Sequence, residues 1–295
     1  MGRPKVYLRF PKTGLGNMLL VWAHAFIFSD INNLKLVTSS WWGFRWGSIL
    51  RREKKSRFYL GYFQNTSLPE RVSTRLRLPF QRVIKNPEFC KRVSIERADK
   101  TIFLFDSLQT HEEMFFELMP FREKIKVELF EMLSGRVRKE LSKYNAPSIA
   151  VHIRRGDFVR TNLATPLQYF TTLIKVVQSA SKMQHPVTVF SDADISDLEE
   201  VLSLPNTMLA EEKPDILDII LMSKAEILVT SRSSSFSYWA AFLSDALVVL
   251  PCDDWQTRIR EDEGYYQEVR WRPDDIAAEN LLKETILNYR KFNAI

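Results

Sequence analysis

The sequence predicts an α/β protein built on parallel sheet, and three observations carry that prediction. Short β-branched or apolar runs recur along the chain with helix-patterned stretches between them, a glycine-containing turn joins the first strand to the first helix, and several later strands end in charged or hydroxyl residues. Strand and helix alternating at this spacing bury a parallel sheet between helices on both faces. At 295 residues the chain is long enough for two domains of ordinary size, each with its own core.

Residues 6–10 form the first strand and residues 18–30 the first helix, with ThrGlyLeuGlyAsn at 13–17 between them. This turn aims helix amides, with Gly16 and Asn17 beside them, at whatever lies beyond the strand, or it merely connects strand to helix. It lacks the third glycine and later acidic residue of a dinucleotide fingerprint, and the Lys-Ser/Thr pair of a P-loop. Residues 34–38 give a second strand. The aromatic run 41–47, with three tryptophans, offers either stacking faces for a sugar or a wedge between domains. Residues 101–105 read as a strand, residues 112–118 as a helix and residues 121–144 as one long amphipathic helix. The most favourable domain boundary is AsnAlaPro at 145–147, which sets an N-terminal domain over 1–145, a second over 146–270 and a closing helix over 271–295 that could return to brace the pair.

The second half is the more regular. Ile149, Val151 and Ile153 alternate with Ser148, Ala150 and His152, so residues 148–154 read as a strand. A helix follows near 166–182, then strand 187–190, helix 195–204, strand 206–210, helix 215–224, strand 227–229, helix 238–243 and strand 247–250. Residues 255–263 read as a charged loop or short helix, and the last helix begins near 274.

Three of these strands end in chemistry. HisIleArgArgGlyAsp at 152–157, SerAspAlaAsp at 191–194 and SerArgSerSerSerPheSer at 231–237 face one crevice if their strands share a parallel sheet. Arg154 and Arg155 carry planar donor forks that suit phosphate oxygens. The alternative is a strand-end ion pair between one of them and Asp157. Ser233, Ser234 and Ser235 offer hydroxyls and helix-start amides to the same oxygens, or simply cap the helix. Asp192 or Asp194 matches the adjacent donors of a purine, although Asp192 could instead cap the helix near Ile195. His152 can meet ribose or base through a ring nitrogen. Asp157 is the nearest candidate for a catalytic base, but two neighbouring arginines would depress its pKa, so locking one of them in place competes with that role.

Composition excludes several classes. Hydrophobic residues make up 45% and charged residues 26%, which is globular rather than disordered. Cys90 and Cys252 have no neighbours for a zinc site and read as reduced thiols, and the four histidines are isolated, so no metal is expected. No apolar run is long enough to span a bilayer and no signal peptide opens the sequence, which sets the expectation of a soluble, cytoplasmic protein. The net charge of +6, concentrated between Arg45 and Arg97, suits a phosphorylated ligand, nucleic acid or a peripheral attachment to an anionic membrane.

HisIleArgArgGlyAspPhe at 152–158 resembles the signature shared by α-1,2-, α-1,6- and protein O-fucosyltransferases. The chain is more narrowly similar to the α-1,2-fucosyltransferases through GlyLeuGlyAsn at 14–17, PheSerAsp at 190–192, the run from Ser234 to Trp239, and Pro251 followed by Trp255. It departs from them at Met18, Ala193 and Tyr238, where that family usually has glutamine, aspartate and tryptophan. The resemblance implies two Rossmann-like domains of the GT-B type. It implies an inverting, metal-independent transfer of fucose from GDP-fucose to a galactose hydroxyl of an oligosaccharide, without nucleic acid as a partner. Under it Arg155 becomes the diphosphate contact, and His152, Asp192, Ser234 and Ser235 become donor-site residues; Gly16, Asn17, Arg154, Asp194, Ser233 and Phe236 complete the candidate donor site. Another nucleotide sugar on the same fold, a nucleic-acid binder and an inactive glycan-binding protein are the competing readings.

Overall fold

The computed structural model describes residues 4–42, 59–64, 66–94, 100–108, 110–180, 185–260 and 267–288. They form two compact units. The described residues of Met1–Trp46, Arg57–Thr110 and Glu123–Arg138 make the first, and those of His111–Arg122 and Lys139–Ile295 the second. The chain thus passes finally into the second unit between Arg138 and Lys139, ahead of the AsnAlaPro stretch.

The first unit carries a parallel sheet of strands β1 (Lys5–Leu8), β2 (Lys35–Thr38), β3 (Arg82–Lys85) and β4 (Thr101–Phe105), in the order β2-β1-β4-β3. Strand β4 is buried along its whole length because both of its faces are covered. Ile102 and Leu104 pack with Tyr7 and Val37 on one face. On the other, Phe103 and Phe105 meet Phe28 of the helix Leu15–Ile31, with ring centroids 4.9 and 5.6 Å apart. Trp41 is buried between Phe10 and Phe63, so it packs the core and offers no face to a sugar. The rest of the aromatic run, from residue 43, lies outside the described residues.

The expected helix over 121–144 is two helices, Arg122–Glu131 and Gly135–Leu141. Between them Leu133 bridges to Phe63, and Ser134 Oγ accepts from Val137 N–H at 3.3 Å, which restarts the helix after an extended step. Residues 112–118 are likewise turn and then a 3-10 helix, Phe116–Phe121, with Pro120 inside it and without an N–H to donate.

The second unit holds six parallel strands: β5 (Ile149–Ile153), β6 (Val187–Ser191), β7 (Thr207–Leu209), β8 (Ile227–Val229), β9 (Leu247–Pro251) and β10 (Glu268–Trp271). Their order is β10-β9-β8-β5-β6-β7. The chain builds β5, β6 and β7 outward to one side, then returns to lay β8 against the other side of β5, so the winding reverses between β5 and β8. Ile149, Val151 and Ile153 face a core shared with the helices Leu167–Ala180 and Ile276–Asn288. The closing helix therefore packs inside the second unit through Leu282 and Ile286. His152, at an alternate position of β5, meets the helix Ser235–Leu243 on the opposite face. Strand β10 escapes sequence detection because it is a short edge strand in which Glu268 and Arg270 alternate with the buried Val269 and Trp271.

Two buried arginines anchor the carboxyl end of the helix Ser235–Leu243. Arg122 donates to the carbonyls of Phe242, Leu243 and Ser244 at 2.6 to 3.0 Å. Arg260, with no exposed surface, donates to Ser244 O and Ala246 O and pairs with Glu268 at 3.1 Å. Cations there satisfy the last free carbonyls and oppose the negative end of the helix dipole. Replacing Arg260 with methionine leaves Glu268, still held by the N–H groups of residues 259 and 260, without its buried cation, and Ala246 O without its guanidinium donor, so urea denaturation should show a stability loss of about 3–5 kcal/mol. A loss under about 1 kcal/mol, the range of an exposed ion pair, would contradict this role.

Candidate functional site

The carboxyl ends of β5, β6 and β8 bring the three polar segments together, as a shared parallel sheet requires. Register places His152 opposite Phe190 and Ile153 opposite Ser191, and Val151 opposite Val229 on the other flank. The segments are then tied by side chains to one another's backbones. Ser231 Oγ donates to His152 O at 2.7 Å and accepts from Arg154 N–H at 2.8 Å, which fixes the end of β5 to the loop after β8. Ser191 Oγ donates to Ile153 O at 2.7 Å and accepts from Ala193 N–H at 3.1 Å, which does the same toward β6.

Asp192 sorts the two arginines. Its Oδ2 pairs with the Arg154 guanidinium at 2.6 Å, and its Oδ1 accepts from Arg155 N–H at 2.8 Å. Arg154 also lies over the Phe158 ring, 5.2 Å from its centroid. Arg155 is partly buried, and its Nε has no hydrogen-bond partner among the described residues. One arginine is thereby committed to the loop while the guanidinium of the next stays available for an anion.

Gly156 is needed for space. It begins a short helix, Gly156–Arg160, that periodicity did not reveal, and a methyl group placed on it would overlap Asp192 Oδ2. Asp157 lies in this helix, but its side chain is outside the described part of the structure.

Beyond β8, Ser233 takes a left-handed φ of 57°, uncommon for a residue with a side chain. Ser234 is buried at the N-cap, and neither it nor Ser235 closes the helix start through a side-chain cap. The amides of the first turn are left to other acceptors. Phe236, in that turn, stacks on His152 with centroids 5.3 Å apart. Asp194 sits at the N-cap of the 3-10 helix Ile195–Leu198, the place that sequence assigned to Asp192, and makes no side-chain cap there. Gly16 and Asn17 stand in the first turn of the helix Leu15–Ile31, in the other unit.

Sequence reasoning missed Asp254. Its Oδ1 accepts from the Tyr238 hydroxyl and, at 3.4 Å, from the N–H groups of Ser233 and Gln256, so it ties the Ser233 turn to the helix that follows. Its Oδ2 is buried without a partner among the described residues. Burial pushes the Asp254 carboxyl above the usual carboxylate range, against the lowering effect of the Tyr238 hydrogen bond. Burial, and then the Asp254 charge, push the Tyr238 phenol far above its ordinary range. The signal in the sequence was the spacing of Pro251 and Trp255, which enclose this aspartate.

An open parallel sheet with cationic and hydroxyl groups at its switch point is the arrangement found in nucleotide-binding α/β proteins. The family model described as Glycosyl transferase family 11 matches residues 88–266, more than half of the chain, and the chain belongs to that family. Among solved structures, POFUT1 in complex with GDP is similar over 83% of this chain and 96% of that one, at 15% identity and a TM-score of 0.52. A mutant of Arabidopsis thaliana FUT1 in complex with GDP covers 85% of this chain and 70% of its own, at 12% identity and a TM-score of 0.49. The fucosyltransferase NodZ from Bradyrhizobium covers 83% and 94%, at 15% identity and a TM-score of 0.48. At these identities the likeness to POFUT1 is one of fold, and the other two alignments carry no further weight. None of the curated proteins compared with the chain matches it. Among the described residues, no three His, Cys, Asp or Glu side chains gather as metal ligands.

Replacing Tyr238 with phenylalanine removes the closest donor to a buried carboxylate, and urea midpoints should show a cost of about 1–3 kcal/mol. The cost should grow as pH rises through and beyond the raised Asp254 value, because the variant's folded state holds that proton more firmly still. A cost that is constant or shrinks with rising pH would contradict the assignment.

Proposed function

We propose that this chain transfers fucose from GDP-fucose to a galactose hydroxyl of an oligosaccharide, with inversion and without a metal, and that the acceptor position is the 2-hydroxyl. The observation that carries this reading is the uncommitted Arg155 guanidinium at the switch point, in a chain of glycosyl transferase family 11. The described GDP complex of POFUT1, which shares the fold, supports GDP as the nucleotide. Two Rossmann-like units of the GT-B kind would divide the work, the second holding the nucleotide and the first serving the acceptor.

In this reading the diphosphate lies between Arg155 and the uncapped amides at the start of the helix Ser235–Leu243. His152, with Phe236 behind it, borders the ribose, and the Asp192 to Asp194 turn reads guanine. The acceptor oxygen forms a bond to the anomeric carbon as the bond from that carbon to the β-phosphate oxygen breaks. GDP departs with the bonding electrons, and the acceptor hydroxyl passes its proton to a base, for which Asp157 is the candidate in the sequence, or to water. Negative charge grows on the phosphate during the step, so a fixed cation beside it stabilises the transition state more than the bound donor.

Arg155→Ala should lower kcat for GDP-fucose by about a hundredfold to a thousandfold with circular dichroism unchanged. Product formed with a galactose-terminated oligosaccharide should carry an α-1,2 linkage by NMR. Undiminished turnover in the variant, or transfer from UDP-sugars in preference to GDP-fucose, would overturn the reading.

A further inference from the structure

The helix Leu68–Arg77 is inverted relative to an ordinary surface helix. Its inner side holds Thr74, which is 2% exposed, and Glu70, which pairs with Lys35 at 2.8 Å and Lys5 at 3.4 Å. Its outer side is apolar. Leu68, Val72 and Leu76 repeat at a spacing of four and are 64%, 46% and 67% exposed, and the turn Leu78–Phe80 extends the line to Phe80 at 87%. Residues at this spacing share one helix face. A continuous apolar line left in water marks a surface meant for contact.

The charge around it selects the contact. Arg75 and Arg77 are exposed on the same helix, and Arg82 and Lys85 are exposed on the adjoining edge strand β3. Glu70, the one acid between residues 68 and 85, is turned inward to its lysines. An apolar stripe bordered by cations matches the boundary between anionic headgroups and acyl chains. A nucleic acid would meet the arginines but find Leu68, Val72 and Leu76, with the single ring of Phe80, where successive bases want successive stacking rings. A second copy would set Arg75 and Arg77 against their own like charge. No described helix is long and apolar enough to cross a membrane, so the contact is one of lying on the surface.

We propose that the outward face of residues 68–80 docks this protein on an anionic lipid bilayer. The docking is independent of the transfer reaction. Co-sedimentation of the whole chain with phosphatidylcholine vesicles, with and without phosphatidylglycerol, tests it. The anionic vesicles should bind the protein, added salt should release it, and neutral vesicles should leave it in solution. The double variant Leu76→Glu with Phe80→Glu should weaken partitioning by about tenfold or more with its circular dichroism unchanged. Arg75→Glu with Arg77→Glu should abolish the preference for anionic lipid. Three results would overturn the proposal: no binding to either vesicle, equal binding by wild type and the Leu76/Phe80 variant, or light scattering that shows a dimer dissolved by those same substitutions. Duplex DNA retained where vesicles are not would also overturn it.

Discussion

The chemistry assigned to this chain depends on one carboxylate. Asp192 accepts from the Arg155 amide with one oxygen and from the Arg154 guanidinium with the other, and Gly156 carries no side chain where Asp192 needs room. Two adjacent arginines are otherwise interchangeable as phosphate ligands. The ion pair removes that equivalence, because the arginine held at 2.6 Å is committed to the loop and its neighbour is not. Ser231 and Ser191 reinforce the arrangement by fastening both flanks of β5.

The opposite wall of the site is built on the same economy of charge. The helix Ser235–Leu243 has its carboxyl end saturated by Arg122 and Arg260 and its amino end without a side-chain cap. Its dipole is thereby balanced at the end away from the arginine turn and unbalanced toward it. Asp254 completes the device by holding the left-handed Ser233 at the entry to the helix. Burying that carboxylate is unfavourable, and the Tyr238 hydroxyl offsets part of the cost by satisfying one of its two oxygens.

Much of this was legible in the residues. The alternation of Ile149, Val151 and Ile153 gave β5 and its buried face, and the polar ends of three strands indicated one shared edge once a parallel sheet was inferred. What periodicity could not give was which strand lies beside which, so the reversal between β5 and β8 and the pairing of Asp192 with Arg154 became visible only in three dimensions. Nothing in the sequence marks Arg122 or Arg260 as buried, because their partners include main-chain carbonyls elsewhere along the chain, which no spacing encodes. The interruption near Ser134 was hidden for a related reason, since the residue that draws Leu133 out of the helix is distant Phe63. Trp41 read as either a ligand face or a wedge between domains and is a core ring, a distinction that depends on Phe10 and Phe63 closing over it.

The central claim is that Arg155 and not Arg154 meets the nucleotide's phosphates. Titration calorimetry of GDP and of guanosine against the wild-type chain and the Arg155→Ala variant tests it most directly, because the two ligands differ only in the diphosphate. The account predicts that the wild type strongly prefers GDP and that the variant loses most of this preference while its affinity for guanosine is unchanged. A variant that keeps the full preference for GDP would contradict it.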